Sequence, residues 1–455
     1  MRYTPHTDGE RRAMLDAIGV ASLDQLFADV PEHVRFPELD LPKALSELEV
    51  AREMHALAAR NRPVDGASSF LGAGAYRHFR PAVVDCILQR GEFFTAYTPY
   101  QPELSQGMLQ AMFEYQSMIC RLTGMEVSNA SHYDGATSLA EAVLIALDVT
   151  GHEQTKILLS RGVNPHYRDV VATYLQGADA ELDSEDALGA GLEGLSSKLD
   201  PATAAVVVQS PNFLGQFEAM EDVADRVHAV GALLIVVTDP IALGLFRPPG
   251  ADGADIVVAD GQPLGIPVNF GGPHLGIFAT RQAYVRRLIG RLVGETTDSA
   301  GERGYVLTLA TREQHIRRAK ATSNICTNAA LSALAASVYL AVMGKAGLRA
   351  VAELCYQRSH YAADMINRQA GLPINPHAPT KPFFREFVVE LPRRAGEVNR
   401  MLRDRFGMIG GYDLGESYPE FERHMLIAVT EVNGKAEIDR LASALRSICE
   451  RDVDG

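Results

Sequence analysis

The chain has 455 residues, 47% of them hydrophobic and 22% charged, a globular balance that excludes a disordered tail, a collagenous rod and a coiled coil. At ~100–200 residues per domain there is room for two to four domains, with enough buried surface to need no disulfide or metal staple. A net charge of −14 argues against nucleic acid and against an anionic membrane as partners, since both require a basic surface.

Residues 1–65 predict a helical arm. Thr7-Asp-Gly-Glu10 and Ser22-Leu-Asp-Gln25 have the spacing of capping boxes. Gly19 is placed to close the first helix, and a 3.6-residue pattern runs from Leu45 to Ala59 until Asn61-Arg-Pro63 stops it. Such an arm has no core of its own and must lie on its main domain or on a partner. Met1-Arg-Tyr-Thr-Pro-His lacks the apolar centre of a signal peptide, and no apolar run is expected to span a membrane.

Residues 66–340 predict a large α/β domain with a connecting helix. Lys156–Ser160, Ala205–Gln209, Leu233–Thr238, Asp255–Ala259 and Leu275–Thr280 are apolar on consecutive positions, the mark of a mainly parallel sheet covered on both faces. Asn328–Met343 and Ala346–Asn367 read as two helices leading out of it. Residues 341–455 predict a small α+β domain with strands Glu386–Leu391 and His424–Val429 and a last helix from Lys435 to Arg451. The five cysteines are odd in number, with no C-x-x-C pair and no zinc spacing. They read as reduced thiols of a cytoplasmic protein, and no metal site is expected.

Four stretches have the residue types of a site. Tyr133-Asp-Gly-Ala-Thr-Ser138 opens a helix and reads either as an anion cradle or as a simple N-cap. Asp239 follows a buried strand, where an acid would pair with a pyridine nitrogen or merely cap a turn. Glu92–Glu103 is a stiff loop rich in tyrosine and proline that either presents phenols to a partner or packs on its own domain. Thr311–Asn328 mixes four cations with hydroxyl and amide donors, for a carboxylate, an interface or plain solvation. Cys326 lies within it, and nothing beside it marks a reactive thiol. A pyridoxal enzyme needs an amine soon after the strand Asp255–Ala259, yet no lysine lies between Lys198 and Lys320.

Taken together, Tyr97-Thr-Pro-Tyr-Gln-Pro102, Asn129-Ala-Ser-His-Tyr-Asp-Gly-Ala-Thr137, Asn269-Phe-Gly-Gly-Pro-His-Leu-Gly276, Thr311-Arg-Glu-Gln-His315 and Ala321-Thr-Ser-Asn-Ile-Cys-Thr-Asn328 resemble the subunit 1, or alpha, branch of the split glycine decarboxylase (P-protein) family of the glycine cleavage system, over nearly the whole chain. The resemblance implies a fold-type-I pyridoxal-phosphate-dependent transferase architecture. It also implies a complex that releases carbon dioxide from glycine and passes the aminomethyl group to the lipoyl arm of the H-protein. By the same comparison the cofactor and its lysine belong to subunit 2, in an α2β2 assembly, and Gln262 or its neighbour Pro263 stands at the lysine position of this half. Gly135, Thr137, Asp239 and Gln262 are then relics of a cofactor site, and this chain has no catalytic residue of its own. Tyr97, Thr98, Tyr100, Gln101, Gly271 and Gly272 are the residues expected to face subunit 2's active site. Two other readings follow from the same residues: a purely structural or regulatory subunit, or an independent pyridoxal enzyme using Lys320 or a late lysine such as Lys345.

Overall fold

The computed structural model describes residues 5–61, 63, 67–188, 191–269, 272–325 and 328–450. The chain forms two compact units, Met1–Pro63 and Val64–Gly455.

In the first unit, Asp8–Ile18 begins at the expected capping box of Thr7 with Glu10 and ends at Gly19, whose φ of 83° only glycine adopts freely. The second expected box does not form. Ser22 makes no side-chain cap, Leu23–Phe27 is a short 3-10 turn, and Gln25 instead accepts from the Ala21 amide. A box unnoticed in the sequence, Ser46 with Glu49, starts Glu47–Ala58. None of these helices buries a residue.

The second unit is built on a seven-stranded sheet. In chain order its strands are β1 (Val127–Ser128), β2 (Lys156–Leu159), β3 (Glu181–Asp183), β4 (Thr203–Ser210), β5 (Leu233–Thr238), β6 (Ile256–Asp260) and β7 (Gly276–Thr280), lying side by side as β1-β7-β6-β5-β4-β2-β3. The run from β6 to β3 is parallel, while β7 is antiparallel to β6 and to β1. Successive side chains of a strand point to opposite faces. Leu234 and Val236 of β5 join a core with Ala333, Ala336 and Tyr339, while Leu233, Ile235 and Val237 join another with Leu139, Val143 and Ala146. Burying such a side chain is worth roughly 1.5–3 kcal/mol, so a strand apolar on both faces is stable only between two layers of helix.

The segment Ala330–Ala370 is helical on both sides of Gly344, whose φ of 57° and ψ of −174° break it into the two helices that the sequence pattern gives, and the segment spans position 340. It corrects one expectation, because an 18-residue window in it is long and apolar enough to cross a membrane. Its residues Ala333, Leu334, Ala336 and Tyr339 are buried in the protein core, which accounts for part of that apolarity, while Leu331 and Val342 are exposed. A hairpin absent from the sequence reading, β8 (Leu292–Thr297) with β9 (Arg303–Thr308), follows the sheet. The C-terminal part adds β10 (Glu386–Glu390), β11 (Tyr412–Asp413) and β12 (His424–Ala428), antiparallel in the order β10-β12-β11 and backed by Lys435–Glu450.

Candidate functional site

The carboxyl ends of β4, β5 and β6 converge, as ligand-binding edges of open α/β sheets do, and the start of β10 faces them. Between them lies a cavity of about 50 Å³ lined by Tyr76, Asn164, Tyr167, Asp239, Arg385 and Glu386, among others. The strands deliver Asp239 and Asp260 there because each lies at or just after the last strand residue, where the chain leaves the sheet.

Asp239 does not face an open site. One carboxylate oxygen accepts from the Ile241 amide at 2.9 Å, and the other meets Arg385 Nη2 at 2.5 Å. The Arg385 side chain is 2% exposed, and its guanidinium lies 3.4 Å from the centre of the Tyr76 ring. Burial opposes the Arg385 charge, but Asp239 and its other anionic neighbours outweigh it and hold the pKa above its ordinary value. The second nitrogen of the fork meets His78 Nε2 at 2.5 Å, and His78 Nδ1 meets Glu431 at 2.7 Å. Beside this chain, Glu386 accepts from the Ala73 amide and from the Tyr76 hydroxyl, and burial pushes its carboxyl pKa up.

Gln262 is equally engaged. Its Oε1 accepts from the Tyr76 amide at 2.9 Å, and its Nε2 donates to the carbonyls of Tyr76 at 2.9 Å and Ile266 at 2.8 Å. All the hydrogen-bonding capacity of the amide except one lone pair is consumed in fixing a backbone segment.

Gly135 and Thr137 open the helix Gly135–Val149. Of the two readings of this turn, the N-cap is the one formed: Asp134 Oδ1 accepts from the Thr137 amide and hydroxyl, both at 2.8 Å. The Gly135 amide donates to Asp260 Oδ2 at 3.2 Å, an oxygen also within 3.1 Å of His274 Nδ1. The hydrogen bond to Asp260 raises the His274 pKa. Two carboxylates thus stand at the helix end where a phosphate would sit, and a Cβ on Gly135 would run into the Tyr167 phenol.

Pyridoxal phosphate does not fit these residues. There is no amine for it, its acid partner is taken by Arg385, carboxylates hold its phosphate end, and the space is far below the ~300 Å³ at which ligand pockets begin. Lys320 lines a different cavity with Asp148 and Arg312. Among the functional neighbours, Arg385, Glu386, Tyr76 and Tyr167 were not legible beforehand. The one signal was a pair of charges, Arg385-Glu386, opening the apolar run Phe387–Val389.

The tyrosine loop lies elsewhere on the unit. Tyr97 and Tyr100 are 74% and 52% exposed. The Tyr100 hydroxyl accepts from Arg291 Nη2 at 3.1 Å, its ring sits 5.4 Å from that guanidinium, and the His315 ring meets it edge-on. Thr98 is half-buried and Gln101 exposed. Gly272, with φ of 133°, lies between the cavity and β7 in sequence, and Gly271 lies outside the described residues, as does Cys326.

Residues 1–445 match the family described as glycine cleavage system P-protein. The chain belongs to that family. It is 53% identical over 98% of its length to a protein of Thermomicrobium roseum, and 51% identical over the same share to one of a Geobacillus species. Both relatives are named "Probable glycine dehydrogenase (decarboxylating) subunit 1", and the match covers 99% and 98% of them. A crystal structure of glycine decarboxylase (P-protein) of the glycine cleavage system, in inhibitor-bound form, superposes with a TM-score of 0.89 at 46% identity, covering 98% of this chain and all of that one. A sphingosine-1-phosphate lyase of Burkholderia pseudomallei, at 15% identity and a TM-score of 0.65 over 92% of this chain and 94% of that one, shares the fold. The architecture is that of fold-type-I pyridoxal-phosphate-dependent enzymes, as the sequence implied.

Proposed function

We propose that the chain is subunit 1 of a two-chain glycine decarboxylase, carrying no pyridoxal phosphate itself and completing the active site of a cofactor-bearing subunit 2 in a cytoplasmic α2β2 complex. The complex takes glycine, releases carbon dioxide and delivers the aminomethyl group to the lipoyl H-protein, and the isolated chain is inactive. The observation that supports this reading is the filled site: Gln262, which with Pro263 is where the resemblance puts the lysine, is bonded to the backbone, beside an Asp239 neutralised by Arg385. A fold of this class with its own site closed has surface left to contribute. Tyr97, Thr98, Tyr100, Gln101, Gly271 and Gly272 form the contribution, with the exposed phenols acting as a wall that orients groups and excludes water from the partner's pocket.

The test has two parts. The purified chain mixed with pyridoxal phosphate should give only the free-aldehyde spectrum, with borohydride fixing no cofactor. A stable imine band abolished by Lys320→Ala or Lys345→Ala would overturn the reading. Glycine–bicarbonate exchange should then appear only when both subunits are mixed. Tyr97→Phe or Tyr100→Phe should lower it about tenfold or more while the complex still assembles, an order typical for a lost positioned donor. Full exchange by subunit 2 alone would reduce this chain to a structural or regulatory role.

A further inference from the structure

Away from the filled site, a cavity of about 470 Å³ opens beside the last turn of Gly135–Val149. Asp148, which lines it, is 13 residues beyond Gly135 on that helix, so about 20 Å of helix separates the two places. Its charged lining is five cations, Arg286, Arg287, Arg312, Arg317 and Lys320, against Asp148 and Glu313. In a chain of net charge −14 this local reversal of sign is notable because both acids are already engaged: Asp148 pairs with Arg287, and Glu313 lies by Arg291 and His315.

The cations left over are Arg286, Arg312, Arg317 and Lys320. Arg312 is the one built into the protein. Its Nε donates to the Leu309 carbonyl at 3.0 Å and its Nη2 to the Gly290 carbonyl at 3.1 Å, which fixes the plane of the fork. Its Nη1 is buried with no hydrogen-bond partner among the described residues. Burial draws the guanidinium pKa below its ordinary value, with Glu313 opposing, so this cation gains more from a counter-ion than a hydrated surface arginine does. A second cavity, of about 310 Å³, is lined by Arg286, Arg312 and Arg317 with Leu309 and Thr311, so the same three arginines stand between two open spaces. The floor is tied down as well, because Ser323 donates to the buried Glu141 of the helix at 2.5 Å.

We infer that this cavity is a binding site for a small phosphate-bearing ligand, a phosphomonoester or diphosphate, held by Arg312 at its base and by Arg286, Arg317 and Lys320 around its mouth. Several converging cations exceed what one carboxylate neutralises, guanidinium forks match phosphate oxygens two at a time, and the volume is that of a small-molecule pocket. The site does not depend on the decarboxylase reading, and its test uses no turnover.

Pyrophosphate titrated calorimetrically into the full chain at constant ionic strength should bind saturably at one site per chain. The double variant Arg286→Ala/Arg317→Ala changes two exposed residues without touching the core and should weaken binding at least tenfold. Arg312→Gln should weaken it further, provided its melting temperature shows it folded, and Arg349→Ala, on an exposed helical face, should bind as wild type. Wild-type binding that never saturates, or that survives the double variant unchanged, overturns the inference. So does pyrophosphate binding lost when subunit 2 is added, since acidic side chains of that partner would then be the occupant.

Discussion

Asp239 and Arg312 are both half-buried charges next to a cavity, and they are handled in opposite ways. Around Asp239 the charges pair with one another, the acid with Arg385, the arginine with the Tyr76 ring and His78, and His78 with Glu431, although Arg385 Nε has no hydrogen-bond partner among the described residues. Around Arg312 the carboxylates pair with other cations, and one fork nitrogen is buried without a hydrogen-bond partner among the described residues. A closed network contributes rigidity, and an unbalanced one with open space beside it is a binding surface. The same fold therefore holds a paired, largely buried network at the carboxyl edge of the sheet and a cluster of cations some 20 Å along one helix.

The largest effect should come from breaking the closed network. Arg385→Met leaves Asp239 buried without its counter-charge and should cost ~3–5 kcal/mol in urea unfolding of the full chain. Asp239→Asn combined with it should recover a large part of that loss, and strictly additive costs would show that the two residues do not act as a pair.

Next in size is a pH effect at the buried Glu141, which Ser323 of the open cavity's lining bonds. Burial raises the Glu141 pKa from about 4.5 to about 7, its bond from Ser323 pulling the other way. Between those values the folded chain holds a proton that the unfolded chain has released, so stability falls as pH rises through this window and levels off above about 7. Glu141→Gln cannot ionise and should abolish this slope, a difference of up to about 3 kcal/mol at pH 8. Parallel curves of unfolding free energy against pH for variant and wild type would remove the buried carboxyl from the account.

The smallest effect belongs to the exposed loop. Tyr100→Phe removes one hydrogen bond from Arg291 and leaves the ring stack, so the full chain should lose no more than ~1 kcal/mol in the same unfolding measurement. Set beside the expected drop in exchange activity, this small cost separates a residue that faces a partner from one that holds the fold. A loss as large as that of Arg385→Met would place Tyr100 in the structural class.

The core strands were legible because their signal is local. Leu233–Thr238 is apolar at every position but the last, and no exposed element tolerates that. The hairpin Leu292–Thr297 with Arg303–Thr308 was not, since charges and glycines interrupt its strands and only pairing makes them strands. The expected box at Ser22 failed although its spacing was right, because Gln25 bonds the Ala21 amide instead, whereas Ser46 with Glu49 formed unannounced. Capping spacing states what is allowed, and the competing local bond decides. Of the candidate site, Asp239, Gly135 and Gln262 lie near the carboxyl ends of the strands, but the residues that engage them, Arg385, Tyr76 and Tyr167, come from remote segments, and only Thr137 is held locally, by Asp134.

By itself the sequence determined that a parallel sheet lies between helices, that the chain carries the family's motifs, and that no amine follows the strand ending near Asp260. Composition and periodicity suffice there, because burial of consecutive apolar residues and the chemistry of a side chain do not depend on what lies across the fold. Only the tertiary structure decided what the remaining polar residues do: that Arg385 neutralises Asp239, that the Gln262 amide grips the Tyr76 backbone, and that Arg312 has a donor without a partner among the described residues. Each of those outcomes is a charge or hydrogen bond completed by a residue distant in sequence, and it is the packing of the whole chain that brings the two ends together.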